Sequence, residues 1–252
     1  MEMTMSKVVV ITGAATGLGR ATALKLAKEQ YHLVIVDFNE EEGIKTTELV
    51  KELGAEAMFV KADVSNEEDV KNYVTRAVET FGTINYFLNN AGIMVPFRLI
   101  HEYDVTEYDR IMNINVKGAF LGLKYVIPVM LENGGGTIVN TVSSNSFKPT
   151  AYNGIYAATK HAVIGLTKSI GQDYQSKQIF AVGVAPNNMK TNISANAAVT
   201  LNEEIGKAIY ETTAPNIAAT AEEVAEAMIF AMKNGQLLSG ATINCAGGQI
   251  YN

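Results

Sequence analysis

Short apolar runs alternate with longer amphipathic stretches from one end of the chain to the other. Most of these runs are rich in Val and Ile and show no alternation of polar and apolar residues, which is typical of strands buried on both faces. The stretches between them are long enough for crossover helices, so the pattern predicts an α/β fold with a doubly wound parallel sheet and helices on both faces. The predicted strands are Lys7–Thr12, His32–Asp37, Ala57–Val60, Tyr86–Leu88, Thr137–Val142, Ile179–Ala185 and Ala241–Asn244.

Capping signatures mark the start of four predicted helices. In each, a Ser or Thr that can bind a backbone N–H of the first turn is followed three residues later by an acidic residue that can reach back. The pairs are Ser65 and Glu68, Thr106 and Asp109, Thr200 and Glu203, and Thr220 and Glu223. No repeat, low-complexity segment or linker rich in Pro, Gly or Ser interrupts the sequence, so we expect one domain over residues 1–252.

The composition excludes several classes of protein. Of the 252 residues, 48% are apolar, which is enough for a sizeable core. The chain has 26 acidic and 20 basic residues and a net charge of −6, and such a surface repels phosphate backbones and anionic membranes, so we expect neither as a partner. No apolar run approaches the roughly 18–20 residues of a membrane span, and the N-terminus lacks a stretch of signal-peptide type. A single cysteine and three scattered histidines predict a cytoplasmic protein without disulfides or a metal site.

A glycine-rich turn follows the first predicted strand. It reads Thr12-Gly13-Ala14-Ala15-Thr16-Gly17-Leu18-Gly19 and leads into a helical pattern at Arg20–Lys28. Glycines there allow a tight turn whose N–H groups approach a pyrophosphate, and the helix N-terminus adds partial positive charge. An ordinary strand–helix turn can have the same spacing, so the turn alone leaves both interpretations open.

Aspartates end the next two predicted strands. Asp37 lies near the position where a dinucleotide fold places an acid on the adenosine ribose, and its carboxylate would accept both ribose hydroxyls and repel a 2′-phosphate. No basic residue follows in Phe38–Glu40, so the sequence favours NAD(H) over NADP(H), unless Asp37 only caps a helix. Asp63 is either a turn residue or a partner of the adenine amino group.

Tyr156 and Lys160 are four residues apart in a helix-like segment, so both side chains lie on one face. The spacing alone is also typical of a surface pair on a helix. The segment follows a strand that ends near Ser143, however, and ligands of parallel sheets bind at the carboxyl ends of the strands.

Together these markers resemble a short-chain dehydrogenase/reductase of the compact type, and the resemblance extends from Thr12 to Gly248. Its remaining motifs are Asn89-Asn90-Ala91-Gly92 after the fourth strand, Asn115 in Asn-Val-Lys-Gly, and Pro186 before Thr191. The resemblance implies a Rossmann-like fold of about seven strands, one for each of the apolar runs. With Asp37 at the end of the second strand, NAD is the expected cofactor.

The resemblance further implies a catalytic tetrad of Asn115, Ser143, Tyr156 and Lys160. Ser143 would polarise a ketone and Tyr156 would exchange a proton with it, while Lys160 and oxidised nicotinamide would lower the pKa of the phenol. Asn115 would anchor a water that links Lys160 to solvent. Ser144 competes with Ser143, but the family's spacing of thirteen residues before the tyrosine selects Ser143. The implied cofactor contacts are Gly13, Thr16, Leu18, Gly19, Asp37, Asp63, Val64, Asn90, Ala91, Gly92, Tyr156, Lys160, Pro186 and Thr191.

Substrate specificity is expected in loops 93–98 and 144–153 and in a lid at about 187–210. Asn187 stands where relatives usually have glycine, and it adds a side chain near the nicotinamide or the substrate. An apolar pocket without a carboxylate-binding arginine favours a neutral substrate, unless Arg98 turns inward. The pocket residues, if they do more than pack the loops, would be Met94, Phe97, Phe147, Met189 and Ile193, with Asn145 and Asn153 as polar contacts.

We therefore predict an NAD(H)-dependent oxidoreductase that interconverts a neutral secondary alcohol and its ketone. The alternative is a catalytically silent NAD(H)-binding sensor or scaffold, which the intact tetrad opposes; a sugar-nucleotide epimerase is disfavoured by the glycine spacing. Relatives commonly pair two long helices, here roughly 107–131 and 151–175, so a homotetramer is expected.

Overall fold

The structure, a computed structural model, describes residues 6–187, 189, 202–213 and 218–246. Within these residues, seven strands form one sheet. They are β1 (Val8–Thr12), β2 (His32–Asp37), β3 (Ala57–Lys61), β4 (Tyr86–Asn89), β5 (Gly136–Thr141), β6 (Ile179–Pro186) and β7 (Thr242–Cys245). All neighbours are parallel and the order is β3-β2-β1-β4-β5-β6-β7, which confirms the predicted doubly wound sheet.

Helices cover both faces of the sheet. They are α1 (Gly17–Lys28), α2 (Glu40–Glu52), α3 (Glu67–Phe81), α4 (Val105–Met112), α5 (Gly118–Glu132), α6 (Gly154–Asp173), α7 (Glu203–Thr213), α8 (Ala221–Lys233) and α9 (Gly235–Leu238). Val9 and Ile11 of β1 pack with α1 and α8 on one face, and Val8 and Val10 pack with α3 and α5 on the other, because successive side chains of a strand point to opposite sides. β1 and β6 are buried over their whole length, as their unalternating apolar runs predict.

The predicted strands agree with the observed ones to within one residue at either end. The first helix was predicted to begin at Arg20, but α1 begins at Gly17 because the last two glycines of the turn already belong to its first turn.

Two of the predicted helix caps are wrong. α3 begins after Asn66, whose side chain accepts the N–H groups of Glu68 at 2.9 Å and Asp69 at 3.3 Å. Ser65, the predicted cap, instead donates its hydroxyl to Asp63 at 2.7 Å.

The remaining caps have different outcomes. α4 begins after Asp104, so Thr106 lies inside the helix rather than at its cap. Thr220 is confirmed, since its hydroxyl accepts the N–H of Glu223 at 3.2 Å and the Glu223 carboxylate accepts the N–H of Thr220 at 2.8 Å. Thr200 lies outside the described residues.

One helical stretch, Val105–Glu132, is long and apolar enough by length and composition alone to cross a membrane. The apolar runs of the sequence did not predict such a stretch. Val105–Glu132 consists of α4, a π-helical turn at Asn113–Lys117 and α5. Val126 and Met130 on its α5 part are buried in the core with Phe87 of β4. The stretch therefore packs as a core helix of the fold.

Candidate active site

A cleft of about 840 Å³ opens where the strand order reverses, between β1 and β4 at their carboxyl ends. Two predicted site residues, Gly19 and Asn115, are not among the residues that line it, and Thr191 and Ile193 lie outside the described residues. The other predicted catalytic and cofactor residues line the cleft: Gly13, Thr16, Leu18, Asp37, Asp63, Val64, Asn90, Ala91, Gly92, Ser143, Tyr156, Lys160 and Pro186.

The glycine-rich turn leaves no room for side chains. Gly13 has a φ of +65°, and a Cβ at that position would lie 2.9 Å from the Cα of Ala91. A Cβ at Gly19 would lie 2.1 Å from the carbonyl oxygen of Gly13. Within the described residues, the side chain of Thr16 does not cap α1, so the N–H groups of its first turn remain available to an anion at the cleft.

Asp37 is fixed at the end of β2 by two backbone groups. One carboxylate oxygen accepts the N–H of Ala15 at 2.9 Å, and the other accepts the N–H of Asn39 at 2.9 Å. α2 is capped by the side chain of Asn39, so the alternative that Asp37 is a helix cap is wrong. The carboxylate of Asp63 accepts the N–H of Ser65 at 2.9 Å, which makes it a turn residue that also lines the cleft.

Arg20 links the glycine-rich turn to α2 through hydrogen bonds and an ion pair. Its Nε donates to the hydroxyl of Thr46 at 2.7 Å, and its guanidinium forms an ion pair with Glu42. The hydroxyl of Thr46, fully buried, donates to the carbonyl of Ala15 at 3.0 Å. The positive charge beside the turn is therefore engaged by an acidic side chain.

Asn90 joins the ends of three strands at the floor of the cleft. Its Nδ2 donates to the carbonyls of Thr12 at 3.0 Å and Gly13 at 3.2 Å, and its Oδ1 accepts the hydroxyl of Thr141 at 3.0 Å. The hydroxyl of Thr12 accepts the N–H groups of Asn90 at 3.0 Å and Ala91 at 3.1 Å. β1, β4 and β5 therefore hold a fixed register at this edge.

Asn115 lies in the π-helical turn Asn113–Lys117 and is 2% exposed. Its Oδ1 accepts the N–H of Ile93 at 2.8 Å and its Nδ2 donates to the carbonyl of Ile93 at 2.9 Å. A Cβ on Gly92 would lie 3.3 Å from Asn115 Oδ1 and 3.5 Å from Lys160 Nζ. Asn115 thus holds the backbone of the β4 loop against the lysine.

The structure brings Tyr156, Lys160 and Ser143 together at one wall of the cleft. Tyr156 and Lys160 are on α6, and Lys160 Nζ lies 5.8 Å from the centroid of the Tyr156 ring. The ammonium donates to the carbonyl of Thr141 at 2.8 Å. The Ser143 side chain lies close enough to the phenol of Tyr156 to lower its pKa as a hydrogen-bond partner would.

Burial shifts both ionisable groups toward their neutral forms. It raises the pKa of Tyr156 to about 12, against which the hydrogen bond with Ser143 acts in the opposite direction. It lowers the pKa of Lys160 to about 8. The expectation that Lys160 and oxidised nicotinamide together lower the pKa of the phenol concerns the cofactor-bound cleft and stays a prediction.

The two candidate serines have different partners. Ser143 contacts Tyr156, whereas the hydroxyl of Ser144 donates to Oδ1 of Asn187 at 2.9 Å. Asn187, the residue that departs from the family pattern, lines the cleft from the end of β6. The geometry thus brings Ser143, and not Ser144, to the phenol.

The family model described as short chain dehydrogenase matches residues 7–202 of the chain. The chain belongs to this family.

Levodione reductase from Leifsonia aquatica is 39% identical to this short-chain dehydrogenase over 200 residues, which cover 79% of the chain and 75% of that protein. Cyclohexanol dehydrogenase from Acinetobacter sp. is 36% identical over 200 residues, covering 77% of the chain and 80% of that protein. The crystal structure of NAD⁺-bound xylitol dehydrogenase superposes with a TM-score of 0.88 at 28% identity, covering 97% of this chain and 100% of that one. The family and these relatives make the chain an oxidoreductase.

The substrate end of this dehydrogenase only partly matches the prediction. Met94, Phe97 and Met189 line the cleft, and so do Asn145 and Asn153, whereas Phe147 does not.

Two arginines near the cleft bear on the substrate that the sequence predicts. Arg98 does not line the cleft and lies beside Glu107, with 3.3 Å between Nε and a carboxylate oxygen. Arg110 of α4, which was not singled out from the sequence, lines the cleft together with Asn113 and Ile114, so the cleft does contain an arginine and the reason given from the sequence for a neutral substrate is not met. The helical spacing of these three residues ahead of Asn115 was the signal that could have found them.

Among the described residues, no group of three His, Cys, Asp or Glu side chains is placed to hold a metal.

Proposed function

We propose that this protein is an NAD(H)-dependent oxidoreductase that interconverts a neutral secondary alcohol and its ketone, with Tyr156 as general acid and base. The observation that carries the proposal is the meeting of Tyr156, Ser143 and Lys160 in a cleft that also contains Asp37. The names of two relatives, levodione reductase and cyclohexanol dehydrogenase, support ketone and alcohol chemistry.

The residues of the cleft fit a dinucleotide. The turn around Gly13 admits a backbone approach but no side chain, and the first-turn N–H groups of α1 would bind the pyrophosphate. Asp37 would bind the adenosine ribose, and Lys160 the nicotinamide ribose. When bound, the nicotinamide supplies a hydride in reduction and accepts one in oxidation.

In reduction, the protein's own residues would supply one proton and stabilise the negative charge that develops on the ketone oxygen. The ketone oxygen would accept hydrogen bonds from Ser143 and Tyr156. A pKa of about 12 keeps the phenol protonated until negative charge develops on that oxygen, and the Tyr156 proton then passes to it, so that hydride and proton together give the alcohol. The Lys160 ammonium would stabilise the phenolate until it regains a proton. Oxidation reverses these steps.

The first test is NADH oxidation, followed by absorbance, with a panel of neutral ketones. Tyr156→Phe should abolish turnover and retain NADH binding, because the ring stays and only the proton donor is lost. Tyr31→Phe is the matched control, since Tyr31 does not line the cleft. Unchanged turnover in Tyr156→Phe would contradict the assigned proton donor, and a wild-type protein that binds NADH but reduces no ketone would favour the silent sensor.

We propose NAD(H) rather than NADP(H) on the charges around Asp37. The carboxylate is held in place by backbone groups, and the charge of Arg20 is engaged by Glu42. A 2′-phosphate would therefore meet a fixed negative charge and no available Arg20. NADH should bind more tightly than NADPH, and Asp37→Ser should reduce the difference; a clear NADPH preference in the wild type would refute the role of Asp37.

A homotetramer formed through the long helices is also proposed. Tyr108, Phe120 and Leu131 are exposed apolar residues on α4 and α5, which supports an intersubunit surface there. On α6, Ile164 and Ile170 are instead buried within the chain, so they do not contribute. Light scattering with size-exclusion chromatography tests the assembly, and Phe120→Glu should dissociate it.

A further inference from the structure

A buried threonine connects two parts of the candidate active site. Thr159 lies on α6 directly before Lys160 and is fully buried. Its hydroxyl donates to the carbonyl of Tyr156 at 2.7 Å and accepts a hydrogen bond from Nδ2 of Asn115 at 3.1 Å. Bonds of the first kind are common for threonines inside helices, because the hydroxyl reaches the preceding turn. The second bond links α6 to the π-helical turn at Asn113–Lys117, and helix formation does not require it.

The hydroxyl of Thr159 determines which way the Asn115 amide faces. A hydroxyl has one hydrogen, and that of Thr159 is bonded to the carbonyl of Tyr156, so the oxygen can only accept from Asn115. The amide nitrogen must therefore point to Thr159. In that orientation, Oδ1 accepts the N–H of Ile93 at 2.8 Å, and Nδ2 donates to the carbonyl of Ile93 at 2.9 Å. All three bonds agree on one orientation, and loss of the bond to Thr159 would leave a buried N–H without that acceptor.

The backbone that Asn115 holds belongs to the wall of the cleft, which Gly92 and Ile93 both line. A Cβ on Gly92 would lie 3.3 Å from Asn115 Oδ1 and 3.5 Å from Lys160 Nζ. The wall, the amide and the ammonium are therefore closely packed, and a displaced amide would displace the wall relative to Lys160. Thr159 attaches this amide to α6, the helix that carries the lysine.

A second threonine of α6 has the same pair of bonds without the link to the cleft. Thr167 is fully buried, and its hydroxyl donates to the carbonyl of Val163 at 2.8 Å and accepts from Nδ2 of Asn140 at 2.9 Å. Asn140 lies in β5, and neither it nor Thr167 is among the described residues that line the cleft. Thr159 and Thr167 thus match in burial and in bonding, and they differ in the asparagine that each holds.

We infer that Thr159 is a positioning residue, which fixes the Gly92–Ile93 backbone relative to Lys160 by orienting Asn115. The inference rests on the proposed function and goes beyond it, because it concerns a fully buried side chain that is not among the described residues lining the cleft. Thr159 therefore acts on the reaction through Asn115 and not on the substrate. Small displacements of the groups that hold the reactants slow a reaction, so the effect is measurable in turnover.

Threonine variants of the full chain test the inference with NADH and a ketone that the wild type reduces. Thr159→Val keeps the shape and removes the hydroxyl, and we expect kcat to fall by about tenfold, whereas Thr159→Ser should stay within about twofold of the wild type. Thr167→Val is the matched control. It should lower the melting temperature as Thr159→Val does and keep kcat within about twofold of the wild type. Wild-type turnover in Thr159→Val, or an equal loss in both valine variants, would overturn the inference.

A double-mutant cycle tests whether Thr159 acts through Asn115. Residues that act as one unit have effects that do not add. Thr159→Val should therefore lower kcat much less in an Asn115→Ala protein than in the wild type. A full further loss of about tenfold in the Asn115→Ala background would overturn the inference, because it would show an effect of Thr159 that bypasses Asn115.

Hydrogen exchange at the Ile93 amide tests the same contact without turnover, since that N–H donates to Asn115 Oδ1. Ile93 should exchange at least about tenfold faster in Thr159→Val than in the wild type, and at the wild-type rate in Thr167→Val. An unchanged Ile93 rate in Thr159→Val would overturn the inference. If the wild type binds NADH but reduces no ketone, the proposed function fails, and Ile93 exchange alone then decides the inference; it also decides where Asn115→Ala is too slow to assay. If Thr159→Val does not fold, Thr159→Ala is expected to give the same results.

Discussion

Replacing Lys160 with methionine should make the folded protein more stable at neutral pH while it abolishes catalysis. Lys160 is 4% exposed, and burial lowers its pKa from 10.5 to about 8. Each tenfold ratio of protonation is worth about 1.4 kcal/mol, so the charged side chain costs the folded state about 3 kcal/mol. Methionine removes that cost without leaving a cavity of any size. It also loses the bond from Nζ to the Thr141 carbonyl, worth about 1 kcal/mol.

The sign of the pH dependence follows from proton binding. Between pH 8 and 10.5 the unfolded chain retains the lysine proton that the folded protein has released, so the wild type gains stability as pH rises. Below pH 8 both states are protonated and the full cost is present. Lys160→Met should therefore be more stable than the wild type by about 2 kcal/mol at pH 7, and less stable by about 1 kcal/mol near pH 10.5.

Urea unfolding followed by far-UV circular dichroism at several pH values measures this difference, since the chain has no tryptophan. Taking the difference between the unfolding free energies of the variant and the wild type at each pH cancels the contributions of the other titrating groups. Lys168→Met, at an exposed position of the same helix, controls for loss of a lysine from α6. A Lys160→Met difference that is the same at pH 7 and pH 10 would refute the argument that buried charge at Lys160 destabilises the fold.

Four further variants test other parts of the structure. Ser143→Ala should lower kcat for ketone reduction by about 100-fold, as loss of an oxyanion donor does, whereas Ser144→Ala should have a much smaller effect because its hydroxyl is bonded to the β6 loop; steady-state NADH assays compare them. Gly19→Ala should destabilise the protein by about 1–3 kcal/mol and weaken NADH binding, since its Cβ would overlap the Gly13 carbonyl; thermal unfolding and a binding titration measure both effects, and wild-type values would contradict the close approach. Thr220→Ala should cost about 1 kcal/mol in urea unfolding, and no loss would mean that the cap bonds do not contribute.

Much of the framework could be predicted because it depends on local pattern. The Val- and Ile-rich runs located each strand, and the four-residue spacing of Tyr156 and Lys160 on a helix placed both at one wall of the cleft. The helix caps were harder, because several adjacent residues can cap. Ser65 and Asn66 are both residue types that cap helices well. Only the path of the chain decides that Asn66 caps α3 and that Ser65 bonds to Asp63 instead.

Features that depend on tertiary burial could not be predicted in this way. The spacing of Tyr156 and Lys160 gave no indication that burial in the surrounding core raises the pKa of the phenol to about 12. The bonds of the Asn115 amide to the backbone of Ile93 depend on the π-helical turn, which the sequence did not predict, and its expected role in anchoring a water beside Lys160 stays a prediction. The helical spacing of Arg110 with Asn113 and Ile114 was visible in the sequence, but only the packing of α4 shows that this face of the helix lies at the cleft.

The amide of Asn90, bonded to three strand ends, has a consequence for how such a protein can diverge. The groups proposed to handle hydride and proton are attached to a rigid frame, whereas loops 93–98 and 144–153, which line the cleft, would contact the rest of the substrate. Substitutions in those loops can change which alcohol is accepted without disturbing the frame. A substitution at Asn90 would disturb β1, β4 and β5 together. We therefore expect Asn90 to tolerate mutation much less than loop 93–98, which begins only three residues later.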